Sequence, residues 1–188
     1  PDCGLCPQHI SPTCLGQVDL SNRGNLTCPV CFASANQAGY LSEPSFEEVA
    51  RLLRALRDQK PVPAAAVQFT GGEPTLHPEF FRILGSAREM GFTHVQCATN
   101  GVTLAEPGFA EKAAAAGLQT AYLQFDGTDD SIYRKLRGAP LMETKRAAVE
   151  ACRRAGIRVV LVPTRVKGVT ADQVGPIRRS AVANADVI

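Results

Sequence analysis

No apolar run in this sequence approaches the ~20 residues that a membrane-crossing helix needs, and residues 1–15 lack the charged-then-apolar layout of a secretion signal. Charge of one sign is missing too: the formal net charge is +2. Lysine and arginine are scattered rather than grouped, so nothing draws the chain to a polyanion and nucleic acid is not expected as a partner. The three histidines, His9, His77 and His94, stand apart with no second ligand at metal spacing, which leaves histidine out of any metal site. What remains is the expectation of a soluble, cytoplasmic chain of 188 residues, enough for one domain with a sizeable core.

Cysteine is what the sequence does have. Five of the seven cysteines fall within residues 3–31, and in a chain with cytosolic character such clustering points to metal rather than disulfides. Cys28 and Cys31 form a C-x-x-C pair in "NRGNLTCPVCFASA". Cys3, Cys6 and Cys14 lie just ahead. Three thiolates with glycine and proline between them can wrap a metal, but a closed site wants four, so a fourth cysteine is expected upstream of Pro1. A rival reading joins Cys3-x-x-Cys6 to Cys28-x-x-Cys31 as a four-thiolate zinc staple of a non-enzymatic α/β module; it leaves Cys14 idle.

After this segment, strand alternates with helix. Strands are expected over 17–22, 65–70, 94–100, 120–125 and 158–164. Helices are expected over 45–58, capped by the Ser45/Glu48 box, and over 78–90, 105–116, 142–155 and 171–183. The run 133–138 (YRKLRG) reads as a solvated helix face, and Cys97 and Cys152 as buried packing. Strands separated by helices pair in parallel through right-handed crossovers. The fold class is therefore α/β, a partial barrel, with residues 185–188 (ADVI) reading as the start of a sixth strand and the chain as a fragment. Ligands in such folds sit at the carboxyl ends of the strands. The unusual loops here all follow strands: the cysteine loop, then Gly71-Gly72-Glu73-Pro74, then Thr99-Asn100-Gly101, then Gln124 to Gly127.

With a cysteine loop one strand ahead of GGEP, residues 17–188 resemble the radical S-adenosylmethionine enzymes. The resemblance implies a partial (β/α)6 barrel carrying a 4Fe-4S cluster on a CxxxCxxC loop, a bound S-adenosylmethionine, and a 5′-deoxyadenosyl radical that functionalises C–H bonds. On this chain it makes Cys28 and Cys31 cluster ligands. It puts Gly71, Gly72, Glu73 and Pro74 at the methionyl ammonium, Thr99 and Asn100 at its carboxylate, and Gln124 or Asp126 at the ribose. The expectation is that this pair lies on opposite faces of the fourth strand and that only one member points inward. Val30 would touch adenine, and charged residues of the run 133–138 would, as often in that family, face the active site instead of solvent. No catalytic side chain is assigned. Residues 1–16 resemble the auxiliary-cluster segment of the tetraether lipid synthases and their relatives, some of which methylate a pterin. This makes Cys3, Cys6 and Cys14 ligands of an auxiliary iron–sulfur cluster. Further implications are a small-molecule or lipid substrate and an electron donor such as ferredoxin or flavodoxin.

Gly24 departs from that pattern. It stands where the first cluster cysteine belongs, and glycine has no ligating atom. An inactivated variant, a natural relative that has lost the chemistry and a substitute ligand are the three explanations, with Asn25 next door a poor iron ligand. The alternative function is accordingly a catalytically impaired, nucleotide-binding homologue.

Overall fold

The computed structural model describes residues 13–31, 35 and 39–182. Among them β1 (Gly16–Ser21), β2 (Ala66–Gly71), β3 (His94–Thr99), β4 (Thr120–Gln124) and β5 (Arg158–Val162) form one sheet in the order β1-β2-β3-β4-β5, with every neighbouring pair parallel. The helices are α1 (Phe46–Arg57), α2 (Phe80–Glu89), α3 (Phe109–Ala115), α4 (Asp130–Arg137), α5 (Met142–Arg154) and α6 (Val174–Val182). This is the expected α/β half-barrel. None of the described helices is long and apolar enough to cross a membrane. Residues 185–188, read as a sixth strand, lie outside the described residues, as do Cys3 and Cys6.

Chain chemistry explains the boundaries. Ser45 and Glu48 cap α1 reciprocally, the Ser45 Oγ accepting from the Glu48 amide at 3.3 Å and Glu48 accepting from the Ser45 amide at 2.8 Å. The helix expected over 105–116 is shorter. Pro107 and the left-handed Gly108 (φ 79°) separate a short 3-10 turn at Thr103–Ala105 from α3. Strand β5 stops at Val162 because Pro163 has no N–H to give the ladder.

One face of the sheet is sealed. Val67, Phe69, Val95, Cys97, Ala121 and Leu123 project from the middle strands and pack on Leu53, Leu84, Ala113 and Ala148 of the helices, all fully buried. Each such Leu or Phe contributes about 1.5–3 kcal/mol by leaving water. Cys97 and Cys152 belong to this core, and burial pushes the Cys152 thiol up to about 12, so both pack as expected. The other face, polar on several strands, looks into the half-barrel.

The reading of 133–138 as a solvated face is corrected. Of the run, Arg134, Lys135 and Gly138 are exposed, while Tyr133, Leu136 and Arg137 are buried. Tyr133 donates its hydroxyl to the Gly127 carbonyl at 3.0 Å, and Arg137 is held by the site described next.

Candidate functional site

A cavity of ≈ 350 Å³ opens at the carboxyl ends of the strands. The cysteine loop lines one wall with Gly24, Cys28, Val30 and Cys31; the end of β2 supplies Gly71 and Gly72. Thr99, Asn100 and Gln124 line the far side, with Arg137 and Thr164 behind them. The thiols and the glycine pair thus share one cavity, the arrangement the sequence requires of a cluster beside a nucleotide.

The two glycines do more than leave room for a ligand. The Gly72 amide donates to the Ser21 carbonyl at 2.6 Å and the Glu73 amide to the Arg23 carbonyl at 2.8 Å. A Cβ on Gly71 would fall closer than 3.0 Å to the Ser21 carbonyl oxygen, and one on Gly72 equally close to that of Arg23. Gly71 also has φ +126°, which side chains rarely adopt. The pair therefore lets the backbone leading into the cysteine loop dock on the end of β2. Beyond it, the loop is closed at its base: Asn22 and Ser42 exchange hydrogen bonds at 3.0 and 2.9 Å, and Glu43 accepts from Ser21 at 3.0 Å and from Arg23.

Glu73 sits one layer deeper. Its side chain is almost fully buried. One carboxylate oxygen accepts from the Thr75 and Thr99 hydroxyls at 2.6 and 2.8 Å, and the other from the Asn100 amide at 2.8 Å. It ties the end of β2 to the end of β3. Pro74, also buried, begins the short 3-10 turn that follows. Asn100 reaches across to the cysteine loop, donating to Asn25 Oδ1 at 2.7 Å.

Gln124 and Asp126 do not take opposite faces as expected: residues two apart point the same way, Gln124 donates to Asp126, and depth is what divides their roles. Gln124 lines the cavity; Asp126 is wholly buried beneath it. Asp126 receives Arg137 through two nitrogens, Nε at 2.7 Å and Nη2 at 2.9 Å, and the Thr164 amide at 3.0 Å. Gln124 donates its amide hydrogens to Asp126 and accepts from Lys145 Nζ at 2.8 Å, so its orientation is fixed from both sides. Lys145 also donates to the Asn100 carbonyl. A chain of polar groups, half-buried at Asn100 and Gln124 where it meets the cavity and buried elsewhere, thus runs from Glu73 through Asn100, Lys145, Gln124 and Asp126 to Arg137. Burial alone would lower the Arg137 pKa, but Asp126 and the Cys28 sulfur beside it keep the guanidinium firmly charged.

Sequence reasoning missed Lys145; for Arg137 the solvated-face reading fails, and the alternative implied by the resemblance, a charged residue of this run facing the site, agrees with its place in the cavity lining. The signal for Lys145 was there: on α5 it is in register with Ala148, Ala151 and Cys152, the buried stripe of that helix, so a lysine occupies a core position. Burial pushes its pKa down from 10.5 to about 7, with Arg137 adding to the shift and Asp126, Glu73 and Cys28 opposing it. Between those two values the unfolded chain binds more protons than the folded one, so stability rises with pH across that window. The stability of the unaltered protein relative to Lys145→Met should climb by about 1 kcal/mol per pH unit above pH ~7, measured by urea denaturation at several pH values. A flat difference would show that Lys145 stays protonated.

The sequence pattern that defines the radical SAM superfamily matches residues 18–181. The chain belongs to the radical SAM superfamily. Members are enzymes that use a 4Fe-4S cluster and S-adenosylmethionine. Among curated relatives, the chain is 48% identical over all its 188 residues to 37% of the 7,8-dihydro-6-hydroxymethylpterin dimethyltransferase of Methanocaldococcus jannaschii. It is 36% identical over 120 residues, 64% of the chain and 36% of the relative, to a probable GTP 3′,8-cyclase of Methanopyrus kandleri. It thus spans little more than a third of either. Among solved structures, Streptococcus suis SuiB bound to S-adenosylmethionine superposes with a TM-score of 0.76 at 19% identity, covering 92% of this chain and 38% of that one; that likeness concerns the fold. The relatives named here bear out the superfamily, and none of them is a tetraether lipid synthase.

The two groups the superfamily uses fit this radical SAM chain unequally. The glycine-edged cavity, with polar groups from three strand ends, is of the size and character that takes a small polar ligand such as the nucleotide. The cluster does not fit. Three thiolates are wanted, and the cavity wall offers Cys28, Cys31 and the hydrogen of Gly24. Among the described residues no group of three cysteines, histidines or carboxylates is placed to hold a metal ion. Cys14 is exposed ahead of β1.

Proposed function

We propose that residues 17–188 are the nucleotide-binding half-barrel of a radical SAM protein whose substrate is a reduced pterin, and that residues 1–16 form a separate cysteine-rich metal segment. The observation that carries the nucleotide reading is the single cavity shared by Cys28, Cys31, Gly71, Gly72 and Gln124. The substrate class draws on the 48% identity, across the whole chain, to a protein named for methylating a hydroxymethylpterin. A lipid chain, expected from the likeness of residues 1–16 to the tetraether synthases, has no comparable support.

In this reading Val30 meets the adenine, Gln124 a ribose hydroxyl, and the rim at Thr99 and Asn100 the methionyl carboxylate. Gly71, Gly72, Glu73 and Pro74 shape the ammonium end, Glu73 by holding that rim rather than by lining the cavity. Bound there, S-adenosylmethionine supplies a sulfonium whose carbon–sulfur bonds are ready to break. The chain's own residues fix its orientation and keep water out.

Gly24 favours a second reading, a homologue that binds the nucleotide but has lost the cluster. Isothermal titration separates both from a zinc-stapled module. The protein as purified is expected to bind S-adenosylmethionine, and Gly72→Ala, which drives a methyl group into the Arg23 carbonyl, should weaken that binding about tenfold or more. Zinc at one equivalent with no nucleotide binding would overturn the proposal.

A further inference from the structure

Packing does not explain Lys145. It lies in the opening turn of α5, fully buried, at the head of the stripe that continues through Ala148, Ala151 and Cys152. Its charge is out of water, the N-terminal end of a helix disfavours a cation, and a long side chain loses its rotamer freedom there. Among the described residues no carboxylate lies within ion-pair distance of its Nζ. A methionine would fill the same space without these penalties, so the fold alone gives no reason for a lysine.

The atoms that the ammonium touches supply one. It donates to the Asn100 carbonyl at the end of β3 and to Gln124 Oε1 on β4 at 2.8 Å, and the centre of the Tyr133 ring stands 5.7 Å from it. Asn100 and Gln124 both line the cavity, whereas Lys145 stays beneath it. The Asn100 peptide is pinned on both sides, its amide by Glu73 and its carbonyl by Lys145, and so makes a firm anchor for the lysine head. The Gln124 amide sits between an ammonium, which only donates, and a carboxylate, which only accepts. Its oxygen therefore turns to Lys145 and its nitrogen to Asp126. One N–H and one lone pair of Gln124 remain, and together they complement a hydroxyl, which accepts and donates.

We propose that Lys145 is a positioning residue of the nucleotide site: anchored on the Asn100 carbonyl, it sets the Gln124 amide from below so that Gln124 meets one ribose hydroxyl. The inference rests on the reading of the cavity as the S-adenosylmethionine site, and it adds the residue that fixes the sugar contact without touching the ligand. The sign of the effect tells position from charge. S-adenosylmethionine carries a sulfonium, so a buried cation acting through charge alone would oppose it, and removing that cation would tighten binding. A lysine that holds Gln124 in place does the reverse.

The test is calorimetric titration of the complete protein that carries these residues, with S-adenosylmethionine and with S-adenosylhomocysteine, which keeps the sugar and lacks the sulfonium charge. Lys145→Met is expected to weaken both ligands about tenfold, as is Gln124→Ala, with thermal unfolding little changed. The loss caused by Lys145→Met should be absent for either the 2′-deoxy or the 3′-deoxy form of S-adenosylhomocysteine, whichever lacks the hydroxyl that Gln124 meets. A general defect of folding would weaken every ligand alike. Should Lys145→Met fail to fold, Lys145→Leu, equally unable to donate, carries the comparison. Unchanged or tighter binding of S-adenosylmethionine by the variant would overturn the proposal. So would a loss confined to S-adenosylmethionine, or an equal loss with both deoxy forms. Failure of the unaltered protein to bind any of these ligands would instead sink the nucleotide reading on which the proposal rests.

Discussion

Gly24→Cys is expected to turn a protein that keeps about one iron or fewer per chain at this loop into one that keeps about four after anaerobic reconstitution with iron and sulfide. Each cluster iron wants a sulfur donor from the protein or a small ligand in its place. The cavity wall presents Cys28 and Cys31, with Gly24 at the remaining position. Two anchors let a cluster form and then lose iron; a third closes the loop around it. Iron analysis and the charge-transfer absorption of the thiolate-bound cluster give the readout. To keep the auxiliary cysteines from obscuring it, the comparison is made with Cys3, Cys6 and Cys14 replaced by alanine in both proteins. Bare apo-protein in both cases would overturn the assignment of Cys28 and Cys31 as cluster ligands. Equal and full loading in both would show that a ligand other than residue 24 completes the site.

Asp126→Ala should cost about 3–5 kcal/mol of folding stability, because removing one partner of a buried ion pair leaves the other charge uncompensated. Asp126 is fully buried and Arg137 nearly so, and the same carboxylate also accepts from Gln124 and from the Thr164 amide. The loss would therefore spread from α4 to the ends of β4 and β5. Urea denaturation of Asp126→Ala, Arg137→Met and the double variant forms a cycle that isolates the pair. The double variant is expected to recover part of the loss, since two apolar side chains need no partner. A single-variant cost below about 1 kcal/mol would show that water reaches the pair and that it does not hold the cavity floor.

The alternation of strand and helix was legible because period-2 and period-3.6 apolar patterns follow from backbone geometry alone. Elements were misjudged where a local breaker or a tertiary partner intervened. Pro107 and Gly108 cut the third helix. The charged run Tyr133–Gly138 looked solvated because its partner, Asp126, lies in a different element and pairs with Arg137 only once α4 folds back under the strand ends. Lys145 escaped notice for the same reason: a core-register lysine is acceptable only if carbonyl oxygens such as those of Asn100 and Gln124 wait for it, and those arrive from β3 and β4.

By itself the sequence determined the order of the elements, the parallel sheet, the strand ends where a ligand would sit, and the absence of a thiol at residue 24, since each depends on residue type and spacing along one stretch of chain. Tertiary structure alone decided which side chains face the cavity and which lie beneath it. Gln124 lines it and Asp126 is buried two residues on; Gly72 serves the docking of the cysteine loop. Those outcomes depend on atoms brought within hydrogen-bonding distance from strands far apart in sequence, and short-range pattern carries no information about such distances.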